Sequence, residues 1–157
     1  MRSLLLAPAM LFVCATSLNA QANTSTTTAM KRDTLHWGPA PAVFPRGAQM
    51  AVVSGDPSKS GTFRIQLRMP DGYRIPPHFH PSDENIEVKQ GTFLVGMGDV
   101  FNATSAKAMN PGEHGTVPAN GHHFGQAKGE VVVEVTAVGP FAMTYVNPAD
   151  DPSKAHP

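Results

Sequence analysis

The chain has 157 residues, a formal net charge of zero, a pI near 7.1 and only 15% charged residues. This balance excludes the basic face that a nucleic-acid-binding protein needs, and the length suits one compact domain. Fifteen prolines and fourteen glycines interrupt the chain. The short runs rich in Val, Thr and Phe between them predict an all-β domain with one short helical turn at most.

The N-terminal residues have the pattern of an export signal. Arg2 supplies a positive start, residues 4–18 are mostly apolar, and Ala20-Gln21-Ala22 is a small-x-small cleavage site. The apolar run is shorter than the roughly 20 residues of a spanning helix and Pro8 interrupts it. We therefore predict a signal peptide over residues 1–22, cleaved after Ala22 or Ala20, and an exported protein, periplasmic or extracellular, without membrane contact after cleavage.

Residues 23–33 are polar and without pattern, which predicts a flexible leader. The only cysteine, Cys14, lies in the predicted signal peptide. The mature chain would then have neither a disulfide nor a thiolate ligand for a metal.

The predicted barrel domain spans residues 34–148. Trp37 is expected to pack an N-terminal strand against the barrel, with stacking on a ligand as the alternative. Residues 48–54 and 62–69 are predicted strands joined by a turn. In the second of them polar residues alternate with apolar ones, so one face should be buried, namely that of Phe63, Ile65, Leu67 and Met69.

The stretch over residues 76–91 carries the groups best suited to chemistry. His78 and His80 stand one residue apart, and Glu84 follows. Because side chains alternate along a strand, all three share a face if the chain stays extended. Two imidazoles and a carboxylate suit a divalent ion such as Zn, Fe, Mn, Ni or Cu. The alternative is a His-x-His pair on a solvated strand that binds nothing.

A second histidine cluster lies downstream, in residues 112–124. It contains His114, His122 and His123 and could supply a third imidazole. His114 is expected at the surface, with a place near the mouth of the site as the alternative.

The first cluster resembles the first motif of the cupin superfamily. Gly72, five residues, His78-Phe-His80, three residues, Glu84, six residues and Gly91 match every anchor of that motif.

The second cluster is similar to the second cupin motif. Gly112 is followed after five residues by Pro118, and His123 stands five places after that proline. The chain departs from the motif where Gly121 stands one place later than its usual glycine and where Ala127 replaces its closing Asn.

The resemblance covers roughly residues 43–148 and implies a jelly-roll-like antiparallel β-barrel. It implies one divalent transition metal per chain, held by His78, His80, Glu84 and His123, with positions left for water, dioxygen or a small-molecule substrate. His122 precedes the proposed ligand and should face the other way, exposed or supporting the site. Cupins are often dimers, so the resemblance also suggests a homodimer.

The remaining elements are predicted from the positions of glycine and proline and from the alternation of side chains along a strand. Strands are predicted about Gly91 and in the Val-rich C-terminal part, over residues 85–90, 92–98, 130–138 and 141–146. Residues 99–110 are predicted to be a loop or short helical turn and residues 149–157 a loose tail. Glu87 should point away from Glu84, as a solvated or supporting carboxylate, with a catalytic base as the alternative.

These features favour a small metalloenzyme acting on an oxygen-bearing molecule. With Fe or Cu it would resemble cupin dioxygenases, whereas Mn, Ni or Zn would suit the Lewis-acid chemistry of an isomerase or lyase. The other hypothesis is a non-catalytic small-molecule- or metal-binding cupin, because a barrel does not by itself imply catalysis. No Ser-His-Asp set or nucleotide fingerprint competes with the metal site.

Overall fold

A computed structural model describes residues 35–154. The predicted signal peptide, the leader and the last three residues lie outside them. The described chain forms nine strands: β1 (Gly38–Pro39), β2 (Gln49–Ser54), β3 (Gly61–Met69), β4 (Arg74–Phe79), β5 (Glu84–Met97), β6 (Lys107–Met109), β7 (His114–Val117), β8 (His123–Gly139) and β9 (Thr144–Tyr145). Its helical content is two 3-10 turns, Pro148–Asp150 and Pro152–Lys154. None of the described helical segments has the length and apolarity needed to cross a membrane.

The strands form one curled antiparallel sheet built around β8. The order is β1-β2-β3-β8-β4-β9, and β5 pairs with β8 as well as with β6 and β7. Strand β8 pairs through its C-terminal half with β3, through its N-terminal end with β4, and on its other side with β5. The predicted all-β, antiparallel cupin-type architecture is confirmed.

The core lies on the inner face of this sheet. The predicted alternation in β3 is confirmed, because Phe63, Ile65, Leu67 and Met69 are all buried. Their partners across the ladder include Val131, Val133 and Val135 of β8, which are buried on the same face. Burial of each such side chain stabilises the fold by about 1.5–3 kcal/mol.

Two glycines that predict turns lie instead within long strands. Residues 85–90 and 92–98 are one strand, β5, which continues through Gly91, and β8 likewise continues through Gly129. Both glycines have a φ of 75°, and the register of the β5–β8 ladder shifts beside them. A β-bulge at this point bends both strands without ending them, which curls the sheet.

The N-terminal end of the described chain packs on the sheet, and the C-terminal end forms two helical turns. Trp37 is half-buried beside β1, as predicted, and the Arg68 guanidinium lies 4.0 Å from its ring centroid. The helical turns lie in residues 148–154 and not in residues 99–110, which form turns and β6. Asn147 accepts a hydrogen bond from the backbone N–H of Ala149 and so caps the first of them.

A buried carboxylate, that of Glu134 in β8, lies on the outer face of the sheet. Its neighbours in the sequence are mostly valines, so the sequence did not indicate its burial. Glu134 is only 6% exposed and accepts hydrogen bonds from the side chains of Arg64 and Gln66. Burial alone would raise its pKa, but the hydrogen bonds from Gln66 and Arg64 and the charge of Lys89 outweigh burial and lower it. A lowered pKa means that this carboxylate stabilises the fold above the pKa it has when unfolded, and stops doing so as the pH falls through its folded pKa.

Replacing Glu134 by alanine is expected to lower the free energy of unfolding by about 2 kcal/mol at pH 7, because it removes the hydrogen bonds that the charged carboxylate accepts from Arg64 and Gln66. Glu130→Ala, at an exposed site on the same strand, should cost less than about 0.5 kcal/mol. Urea denaturation at pH 7 and pH 3 measures both. The difference between the variants should shrink at pH 3, and equal losses at pH 7 would contradict the role given to Glu134.

Candidate metal site

The four predicted ligand residues lie together inside the barrel. His78 lies near the end of β4, His80 directly follows β4, Glu84 begins β5 and His123 begins β8. His78 and His123 are directly opposite each other in the β4–β8 ladder. All four side chains are buried. The third imidazole therefore comes from the second histidine cluster, through strand pairing.

The three histidines are close enough to share one ion. One ring nitrogen from each lies within 4.8 Å of the others. The Glu84 Oε2 atom lies 3.1 Å from His123 Nε2 and 3.7 Å from His80 Nε2. Ligand atoms about 2.1 Å from one ion are separated from their neighbours by about 3.0–3.6 Å. The buried histidines could therefore hold a metal, and Glu84 is placed beside them.

Backbone carbonyls set the orientation of every imidazole. The Nδ1 atoms of the three histidines lie 2.7–2.9 Å from carbonyl oxygens, those of Pro76, Ala142 and Gly121. A carbonyl can only accept, so each Nδ1 carries a proton, and in the neutral imidazole Nε2 keeps the lone pair that can bind a metal. Outer partners of this kind hold metal-binding histidines in the correct tautomer. They carry no side-chain signature, which is why the sequence did not reveal them.

Burial and the charges of neighbouring groups shift the pKa values of His78, Glu84 and His123. Burial, reinforced by the charges of His123 and His80, lowers the pKa of His78 to about 3. Burial would raise the pKa of Glu84, but the hydrogen bond with His123 and the nearby histidine charges outweigh it and lower that pKa. Burial opposes protonation of His123, yet the hydrogen bond that its protonated Nε2 donates to Glu84 raises its pKa. At neutral pH the site therefore has a carboxylate and a neutral His78.

A small apolar cavity surrounds these polar groups. Sixteen residues line it: the three histidines, Glu84 and twelve apolar residues. It leaves about 20 Å³ for the centre of a water-sized molecule, and one water needs about 10–15 Å³ by this measure. Met143 is among the lining residues, whereas Met97 is 57% exposed and lies outside.

The other polar residues singled out in the sequence lie away from the cavity. Glu87 pairs with Lys89, at 2.7 Å from carboxylate oxygen to Nζ, and His114 is exposed opposite Glu87 in the β5–β7 ladder. His122 is half-buried, with its Nδ1 atom 2.6 Å from an Asp99 oxygen. None of these residues is among those that line the cavity.

At the level of sequence, no family model and no curated protein matches the chain. Solved structures do. A protein from Methylibium petroleiphilum, described as a proposed acetylacetone dioxygenase, has a TM-score of 0.60 at 19% identity and covers 90% of this chain and 88% of its own. A polyketide cyclase from Streptomyces resistomycificus has a TM-score of 0.55 at 20% identity, with 68% and 76% covered. An RmlC-like cupin from Shewanella frigidimarina has a TM-score of 0.53 at 13% identity, with 68% and 86% covered.

Identities this low concern the fold alone. The shared fold agrees with the antiparallel sheet built around β8. The described part of the chain is therefore a barrel of the cupin fold.

Proposed function

We propose that this protein is a metal-dependent cupin that acts on a small oxygen-bearing molecule, with a dioxygenase-like reaction as the first candidate. The observation that carries the proposal is the set of three buried imidazoles, each oriented by a backbone carbonyl, beside the carboxylate of Glu84. Imidazole nitrogens and a carboxylate oxygen that converge in this way form a ligand set that suits a divalent cation.

His78, His80 and His123 would hold the ion, with Glu84 as the fourth ligand. Nitrogen and oxygen ligands are compatible with Fe, Mn, Ni, Cu or Zn. A bound ion would act as a Lewis acid and, if it is iron or copper, as a redox centre. The chain itself orients the imidazoles, supplies one negative charge and surrounds the site with apolar side chains.

Dioxygenase-like chemistry is favoured because a structure that covers nine tenths of this chain is described as a proposed acetylacetone dioxygenase. An isomerase or lyase would usually need a positioned general base as well as the metal. Among the described residues that line the cavity, only the four proposed ligands can take up a proton. The same observation supports the second candidate, a non-catalytic metal- or small-molecule-binding barrel.

Oxygen uptake tests the choice between the two. Purified protein loaded with Fe²⁺ or with Cu²⁺ is mixed with pentane-2,4-dione in an oxygen electrode, with Zn²⁺-loaded protein as the control for non-redox effects. The enzyme hypothesis requires oxygen and dione to disappear together in the iron or the copper form and not in the zinc form. Binding of the dione without oxygen uptake in the iron and copper forms would support the binding protein.

Acidification should release the metal. The Nε2 atom of His123 cannot bind an ion while it carries a proton. Because the pKa of His123 is raised and that of His78 is lowered, His123 is protonated before His78 as the pH falls. Between pH 7 and pH 5 the dissociation constant for Zn²⁺ is expected to rise by about tenfold or more. Equilibrium dialysis in a non-coordinating buffer measures this change. An unchanged constant would count against an imidazole-based site.

A further inference from the structure

We propose that the cavity selects compact ligands that have no charged or hydrogen-bonding group beyond the oxygen atoms offered to the metal, and that Val95, Phe141 and Met143 form the rim that enforces this choice. This inference rests on the proposed metal-dependent function and narrows its substrate class. The favoured ligand is a monoanion with apolar flanks, such as the enolate of a small dione, and the disfavoured ligands are dicarboxylates, sugar acids and phosphates.

The first reason is the chemistry of the wall. Apart from the four proposed ligands, every described residue that lines the cavity is apolar, so the wall offers no cationic, hydroxyl or amide side chain. The backbone of β8 along the wall is paired on both sides, with β5 on one side and β3 or β4 on the other. A second carboxylate or a hydroxyl on the ligand would therefore lose its water without gaining a partner, which costs several kcal/mol for an ion and about 1–3 kcal/mol for a hydroxyl.

The second reason is charge balance. Three neutral imidazoles and the Glu84 carboxylate around a divalent ion leave a net charge of one positive unit inside an apolar cavity. A monoanionic ligand cancels that charge. A dianion reverses it and brings a second negative group toward Glu84, with no Lys or Arg among the described lining residues to offset it.

The third reason is the rim. Val95, Phe141 and Met143 are the lining residues that keep partial exposure, while the others are buried. The Phe141 ring lies 5.0 Å from the ring of His80 and packs edge-on against Phe63 at 5.6 Å. A ligand that enters here passes hydrocarbon, aromatic and thioether groups only, and the small free volume favours a compact ligand.

A matched pair of ligands tests the inference. Pentane-2,4-dione and malonate share the O–C–C–C–O skeleton, but the dione carries methyl groups where malonate carries further carboxylate oxygens. Protein loaded with Co²⁺ is titrated with each at pH 7, and the visible spectrum of cobalt reports binding. We expect the preference for the dione over malonate to exceed that of aqueous Co²⁺ by at least about tenfold.

A matched pair of variants locates the selectivity. Met143→Arg places a cation at the rim and should lower the malonate-to-dione ratio of dissociation constants by about tenfold relative to wild type. Met97→Arg places the same charge outside the cavity and should leave the ratio within about twofold, because exposed charges at a distance are screened. Circular dichroism confirms that both variants fold, and the wild-type titration decides the question if Met143→Arg does not.

The outcomes separate the two proposals. Cobalt bound by wild type and lost in His80→Ala, with malonate preferred no less than by aqueous Co²⁺, would overturn the selectivity and leave the metal site standing. Failure of wild type to bind cobalt would overturn the metal site and, with it, this inference. If Met97→Arg changes the preference for the dione as much as Met143→Arg does, the assignment of the rim is overturned.

Discussion

Replacing His123 by alanine is expected to weaken divalent metal binding by more than about a hundredfold, since loss of an outer partner alone costs about 10–100-fold. His123 lies opposite His78 in the ladder, and its Nε2 atom is 3.1 Å from the Glu84 carboxylate. Its removal takes away one proposed ligand and leaves Glu84 without its hydrogen-bond partner. Competition against a chromophoric chelator, with Zn²⁺ or Fe²⁺ at pH 7, measures the affinity.

The chain offers its own control one residue away. His122 directly precedes His123, but its ring packs on the ring of Phe79, at 5.0 Å between centroids. Its Nδ1 atom bonds to Asp99 outside the cavity. The His122→Ala variant should keep the wild-type metal affinity within about threefold, as expected for a residue that neither binds the metal nor positions a ligand. Equal losses in the two variants would mean that the histidine assignment is wrong.

Replacing Gly91 by alanine is expected to lower the free energy of unfolding by about 3 kcal/mol or more. Its φ of 75° costs a residue with a Cβ about 1–2 kcal/mol. A Cβ at this position would also overlap the backbone carbonyl of Glu130 and lie 2.9 Å from Val131 Cγ2. Backbone cannot move aside as a flexible side chain can, so the β5–β8 ladder has to shift.

Gly129→Ala separates these two causes. Gly129 has the same φ of 75°, but a Cβ there would meet no atom within 4 Å. This variant should lose only about 1–2 kcal/mol, the cost of the backbone conformation. Chemical denaturation of both variants at pH 7 gives the comparison. Equal losses would show that close approach of the strands plays no part in the requirement for glycine at position 91.

The structure brings His78, His80 and Glu84 together, as the strand pattern predicted, but the reason for that prediction holds only in part. Parity along an extended strand placed His78, His80 and Glu84 on one face. In the structure β4 ends at Phe79, the chain bends through residues 80–83, and Glu84 opens the next strand. The carboxylate reaches the cavity because β5 pairs with β8, a long-range contact that parity cannot reveal.

The two prolines before His78 interrupt the ladder of β4. Proline has no N–H to donate to a neighbouring strand. Strand β4 pairs with β8 at Ile75 and again at His78, and the register shifts across Pro76 and Pro77 between them. The carbonyl oxygen of Pro76 then accepts the hydrogen bond from His78 Nδ1. The interruption in the ladder thus frees the carbonyl that orients a proposed ligand.

What the sequence could not reveal depends on tertiary pairing. A glycine between apolar runs signals a turn and a bulge equally well, so β5 was predicted as two strands divided at Gly91, and the strand near Gly129 was predicted to begin at residue 130, although β8 begins at His123. Glu134 sits among valines, and only its neighbours Arg64 and Gln66 on β3 explain its burial. Both features arise where two long strands meet, which no local pattern specifies.

The metal content of the purified chain tests the central claim most directly. The protein is isolated without a histidine tag from its native compartment and compared, by elemental analysis, with a variant in which His78, His80 and His123 are all alanine. The site described here predicts about one transition-metal ion per wild-type chain and loss of that metal in the variant. Less than about one ion per ten wild-type chains, even after reconstitution, or equal metal in both proteins, would contradict it.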